Sequence, residues 1–184
     1  MEAFMSTATE MTQDKGLVTG LFPDPESAES AYRALRLRGY SDAEINIMMS
    51  DETKHKYLVK DPSSKIVGTK AAEGAGVGGA VGGTLGAIIG GVVGVGTNFF
   101  IPGLGIVLWG PIAAALAGAG AGGFTGGLVG ALAGWGMTEE RARVYEKGVK
   151  DGGTVIGVHP KTRDDATYLE REWAQHYHGQ HIYK

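Results

Sequence analysis

The sequence contains no cysteine, and from Gly74 to Thr138 it runs for 65 residues without a single Asp, Glu, Lys, Arg or His. The first absence excludes disulfides, thiolate metal sites and cysteine nucleophiles, and fits a reducing compartment. The second removes every ionisable group from a third of the chain and leaves that stretch only packing. Outside it, seventeen basic and twenty acidic residues give a net charge of −3 with no cationic stripe, which argues against nucleic acid as a partner. Residues 1–14 lack the basic region and apolar run of a secretory signal, and are expected to be a disordered tail.

What fills the uncharged stretch is patterned glycine. It recurs every fourth residue at Gly74, Gly78, Gly82, Gly86, Gly90 and Gly94, and again at Gly118, Gly122, Gly126, Gly130 and Gly134. Residues four apart share one helix face, so each row predicts a smooth groove along which another backbone packs closely. Eleven glycines between Gly74 and Gly96 would each cost roughly 1 kcal/mol against Ala in a water-exposed helix, so packing or lipid has to supply the difference. Gly74 to Gly96 and Pro111 to Trp135 are each long enough, at about 1.5 Å per residue, to cross a hydrocarbon core about 30 Å thick. The reading is a glycine-zipper helical hairpin over residues 74–138, its turn carried by Phe99, Phe100, Pro102, Gly103, Gly105 and Trp109. That turn is unusually apolar for a connection, and its aromatics suit a membrane interface. Two arrangements stay open: a hairpin in a bilayer, or hairpin tips buried together inside an oligomer.

The charged remainder, residues 15–50 and 139–184, has strong punctuation. Lys15 to Phe22 reads as a strand ended by Pro23. Asp24 caps a helix with Pro25 at its first position and Ala28, Ala31, Tyr32 and Leu35 on its buried face, and Gly39 closes it. Ile45, Ile47 and Met49 alternate in a second strand. Residues 51–73 read as an exposed connector. Thr138 caps a helix with Ala142, Tyr145 and Val149 at helical spacing, ended by Gly152-Gly153. Thr154 to Val158 is a third strand, Thr162 opens a helix bearing Ala166, Leu169 and Trp173, and His181 to Tyr183 forms a last strand. The expected class is α+β, a ferredoxin-like βαββαβ sandwich with the apolar hairpin and one extra helix spliced between its second and third strands.

These segments carry a resemblance. Leu21-Phe22-Pro23-Asp24-Pro25-Glu26-Ser27-Ala28, Ile101-Pro102-Gly103-Leu104-Gly105, Gly110-Pro111-Ile112-Ala113-Ala114-Ala115-Leu116 and Gly136-Met137-Thr138-Glu139-Glu140-Arg141-Ala142 resemble the bacterial general stress proteins of the heat-induced and low-temperature-induced type. The resemblance implies a small α/β domain joined to a glycine-rich hairpin, and accumulation under stress. It implies no catalytic residue.

Motifs that suggest other chemistry are better explained otherwise. Gly74-Ala75-Gly76-Val77-Gly78-Gly79 fits the dinucleotide fingerprint G-x-G-x-x-G, yet no strand signal precedes it and no acid follows until Glu139. His176, His178 and His181 could be metal ligands, but no carboxylate or thiolate joins them at a recognised spacing, so no metal and no other cofactor is expected. Adjacent Glu139 and Glu140 serve a helix dipole more readily than acid–base catalysis. Lys65 and Lys70 before the stretch, and Arg141, Arg143, Lys147 and Lys150 after it, favour the cytoplasmic side of a membrane.

The function expected from the sequence is non-enzymatic: a stress-response protein that self-assembles through its hairpins in or with lipid membrane. Its partners are then itself, as a homo-oligomer, and lipid. The corresponding location is the cytoplasmic membrane with both termini cytoplasmic, the alternative a large cytoplasmic particle. A second reading is a homo-oligomeric shell or tube whose apolar interior holds lipid or a hydrophobic small molecule, and a weaker third is a metal- or ligand-sensing domain coupled to the hairpin.

Overall fold

The computed structural model of the chain describes residues 16–60, 98–101, 103–119, 127–133 and 137–184, with only the backbone at 57–60, 115–116, 118–119, 127 and 130–131. In chain order the elements are β1 (Val18–Phe22), α1 (Pro25–Leu37), β2 (Ile45–Ser50), α2 (Asp51–Lys60), β3 (Asn98–Ile101), β4 (Ile106–Trp109), α3 (Pro111–Ala119), α4 (Gly127–Ala133), α5 (Glu139–Lys150), β5 (Thr154–Val158), α6 (Arg163–His176) and β6 (Gln180–Tyr183). The class is α+β. One six-stranded sheet runs in the order β3-β4-β2-β5-β1-β6, antiparallel at every pairing.

Alternation along the strands divides the core between the two faces of this sheet. Val18, Phe22, Ile45, Ile47, Met49, Ile156 and Val158 meet Ala28, Ala31, Tyr32 and Leu35 of α1 and Leu169 and Trp173 of α6. Leu21, Met48, Leu108 and Val155 point the other way, against Ile112 and Ala113 of α3, Leu128 and Leu132 of α4, and Ala142, Tyr145 and Val149 of α5. A sheet covered on both sides wants continuous apolar strands, and β4, with the sequence Ile-Val-Leu-Trp, is buried at all four positions.

The helix starts follow the punctuation. Asp24 accepts from the Ser27 amide at 2.8 Å with Pro25 at the first helical position. Thr162 accepts from the Asp165 amide at 3.0 Å, and Thr138 caps α5. The connector expected over 51–73 begins instead as α2. Ser50 Oγ accepts from the Thr53 amide at 3.0 Å, and Thr53 Oγ1 reaches the Gly152 carbonyl at 3.3 Å, fastening that helix beside the end of α5.

The larger departure lies in the uncharged stretch. Phe99, Phe100 and Trp109 are not in a turn between two helices: they belong to a β-hairpin, β3 paired with β4, which extends the sheet through β2. The local residues explain it. Phe99-Phe100-Ile101 and Ile106-Val107-Leu108-Trp109 are β-branched and aromatic, and Gly103 and Gly105, at φ +83° and +62°, make the reversal between them. Pro102 lies outside the described residues. The span expected from Pro111 to Trp135 is replaced by two short helices, α3 and α4, with Ile112, Ala113, Leu128 and Leu132 buried in the protein's own core. Among the described residues no helix is long and apolar enough to cross a membrane. The membrane location and its two-span topology are therefore corrected: apolar side chains that suit lipid suit a sheet face equally well. The other expected span, Gly74 to Gly96, lies outside the described residues.

Candidate functional site

The sequence placed function in the uncharged stretch, and the structure shows how its later half is attached. Asn46 is the anchor. Buried on β2, it accepts from the Ile112 amide at 2.8 Å through Oδ1 and donates to the Gly157 carbonyl at 3.3 Å through Nδ2. One side chain thus caps the first turn of α3 and ties it to both central strands, satisfying a helix-start donor that has no partner within its own helix. Between β4 and α3 the chain passes so close to β2 that a Cβ at Gly110 would overlap the Ile45 carbonyl oxygen and lie 3.0 Å from Asn46 Cα. Gly110 also sits at φ +95°. The Asp51 amide donates to the Gly105 carbonyl at 2.7 Å, tying the hairpin to the start of α2.

The surface this leaves is apolar and without charge. Phe100 on β3 is 49% exposed, one of two large apolar side chains so exposed among the described residues, and Ala114 and Ala117 on α3 face outward. Beneath α3 and α4, Met48, Leu108, Ile112, Leu132, Tyr145 and Val155 line an apolar cavity of about 20 Å³. That is room for about one water molecule, far too little for a lipid chain.

Of the expected packing glycines, Gly118 lies in α3 and Gly130 in α4, while Gly74, Gly78, Gly82, Gly86, Gly90, Gly94, Gly122, Gly126 and Gly134 fall outside the described residues. So does the G-x-G-x-x-G run. The bases after the stretch are engaged on α5 itself or with β6: Arg143 pairs with Glu139 at 3.6 Å, Lys147 with Asp151 at 2.7 Å, Lys150 with Glu146 at 2.5 Å, and Arg141 stacks 4.3 Å over the Tyr183 ring. Glu139 and Glu140 occupy the first turn of α5.

The histidines do not converge. His176 pairs with Glu172 at 3.1 Å, while His178 and His181 sit at φ +52° and +48° on either side of the entry to β6. Among the described residues no three His, Asp or Glu side chains are grouped to hold a metal ion.

Two polar clusters escaped sequence reasoning. Asp165, buried at the start of α6, accepts from Arg38 Nε and from the Tyr40 hydroxyl, and its carboxylate lies 3.4 Å from the Lys161 amide. Burial alone would raise its pKa, but these donors outweigh it and hold the carboxyl below the usual range. Burial, together with the hydrogen bond to Asp165, pushes the Tyr40 phenol up to about 12. In the second cluster the Tyr145 hydroxyl donates to the His181 carbonyl at 2.8 Å and lies 2.7 Å from Thr19 Oγ1. Its single proton is used on the carbonyl, so the Thr19 hydroxyl is the donor in the other contact. Burial raises the Tyr145 pKa. Both clusters fasten elements of the fold together. They lock α1 to α6, and α5 to β1 and β6.

No family model, characterised protein or solved structure matches this chain. The likeness to general stress proteins therefore rests on the four quoted segments alone.

Proposed function

We propose that this is a non-enzymatic protein whose function is self-association through its uncharged stretch. One observation carries the reading: 65 consecutive residues without an ionisable group, with glycine at every fourth position through two rows. Copies approaching along such a surface meet no like charge and desolvate no ion, and absent side chains let backbones come close. The exposed Phe100 and outward alanines of α3 extend the same uncharged character onto the folded domain. The buried polar clusters supply locks and no catalytic constellation. We further propose that β1, α1, β2, β5, α6 and β6 form a ferredoxin-like βαββαβ unit. Its support is the strand order β2-β5-β1-β6, with α1 joining β1 to β2 across β5 and α6 joining β5 to β6 across β1. In this reading the likeness to stress-induced proteins fits an assembly made in quantity, with many weak contacts per copy.

The test is the particle size of the full chain by native mass spectrometry and light scattering. The wild-type chain should be a defined oligomer, and Gly82→Leu, Gly86→Leu and Gly90→Leu together should dissolve it, because overpacking costs about 1–3 kcal/mol at each fitted site. The melting of the folded domain should be unchanged. A monomeric wild-type chain, or an oligomer indifferent to three leucines, would end the proposal.

A further inference from the structure

A groove of about 380 Å³ opens between α5 and the β1–β6 edge, on residues outside the uncharged stretch. Its walls combine Leu21, Pro23 and Val144 with Lys147, Asp151 and His181. Three features show that the chain is shaped around it. The pairing of β1 with β6 slips by one residue between Thr19 and Leu21, a bulge of the kind that re-aims side chains at sheet edges. His181 holds φ +48° at that bulge, with its carbonyl clamped by Tyr145. Gly148 and Gly153 carry no Cβ where one would run into the Leu21 side chain, so Leu21 can lie across the base of the groove.

We propose that the groove binds a free apolar α-amino acid. Its volume lies within the range of small-molecule sites. The charges on its rim are one ammonium and one carboxylate, Lys147 and Asp151, paired with each other at 2.7 Å and 80% and 63% exposed. Such a surface pair contributes next to nothing, so exchanging it for a ligand is nearly free. A zwitterion gives both partners a new counter-charge. An anion would leave Asp151 facing a like charge, and a cation would do the same to Lys147. The apolar side chain of the ligand covers Pro23 and Val144 above the buried Leu21 and displaces their water.

Equilibrium dialysis of the full chain tests this at any particle size, with three probes that share a phenyl ring: L-phenylalanine, 3-phenylpropanoate without the ammonium, and phenethylamine without the carboxylate. L-phenylalanine should bind saturably, one per chain, and up to about fivefold more tightly than either relative, since each missing group forfeits an exposed charge contact of about 0.2–1 kcal/mol. Lys147→Met and Asp151→Asn, both at exposed positions where the fold is insensitive, should each weaken it by about the same factor. Lys147→Met should abolish the preference over phenethylamine, and Asp151→Asn the preference over 3-phenylpropanoate. Absence of saturable binding, equal affinity for the three probes, or affinity untouched by both substitutions would overturn the assignment.

Discussion

Replacing Gly110 by Ala probes the junction that welds the uncharged stretch to the sheet. Two separate terms oppose the new methyl. The residue sits at φ +95°, beyond the left-handed helical region that an L side chain tolerates, for a strain of about 1–3 kcal/mol. Its Cβ would also overlap the Ile45 carbonyl oxygen and stand 3.0 Å from Asn46 Cα and 3.1 Å from Asn46 Oδ1. Backbone atoms of a central strand cannot swing aside, so overpacking adds about 1–3 kcal/mol more. The sum, roughly 2–6 kcal/mol, is a large share of a typical stability of about 5–15 kcal/mol. Gly103 provides the control, because at φ +83° it shares the strain but has nothing within 4 Å of the added Cβ. Urea unfolding of both variants at unchanged m separates the terms: Gly103→Ala should lose only the strain, and the excess for Gly110→Ala is the contact. Hydrogen exchange at the Ile112 amide, which Asn46 holds at 2.8 Å, should accelerate in Gly110→Ala and not in Gly103→Ala. If the two variants lose the same stability to within about 0.5 kcal/mol, the close approach of β4 and β2 at this point is wrong.

Asp165→Asn should cost roughly 2–3 kcal/mol at neutral pH, since it takes the charge from a buried acceptor of three donors. The folded pKa of Asp165 lies below the ordinary value near 3.9, so its contribution is present above that value and is lost as pH falls through the folded pKa. Wild type and variant should therefore converge in acid, and a gap that stays constant down to pH 2 would refute the assignment. His178→Gly should raise stability by about 0.5–1 kcal/mol, because His178 is exposed at φ +52° and glycine adopts that conformation without strain. A thermal shift in the opposite direction would show that His178 holds a contact worth more than its strain.

How far the sequence could be read depended on distance along the chain. Asp24-Pro25 starts α1, Gly39 at φ +86° and Gly152 at φ +100° follow α1 and α5, and Thr162 starts α6, all by interactions a few residues long. Such signals print locally. Asn46 reads as an ordinary polar residue of a strand, because its partner Ile112 is 66 residues away, and Arg38 and Tyr40 meet Asp165 across 127 and 125 residues. No spacing rule finds a bond of that length. In the uncharged stretch the difficulty was of another kind. Glycine at every fourth residue dominates the pattern and masks the short β signals of Phe99 to Ile101 and Ile106 to Trp109. The helical reading of residues 111–135 had apolar content right and length wrong, since periodicity cannot distinguish one lipid-facing helix from two short ones packed on a sheet.

The order of the strands also decides when the chain can fold. β1 has for neighbours only β5 and β6, so Val18 waits for Val158 and Thr19 for Tyr183, while β2 waits for β4 and β5. Nearly every pairing closes a long loop, and the entropy of closure must be met before any contact rewards it. On the ribosome, at about 5–20 residues per second, the first two strands stand unpaired for many seconds while the glycine-rich stretch emerges beside them. The same absence of charge that lets finished copies pack leaves a nascent chain with nothing to keep it apart from its neighbours, and makes synthesis the moment at which this protein most needs a chaperone.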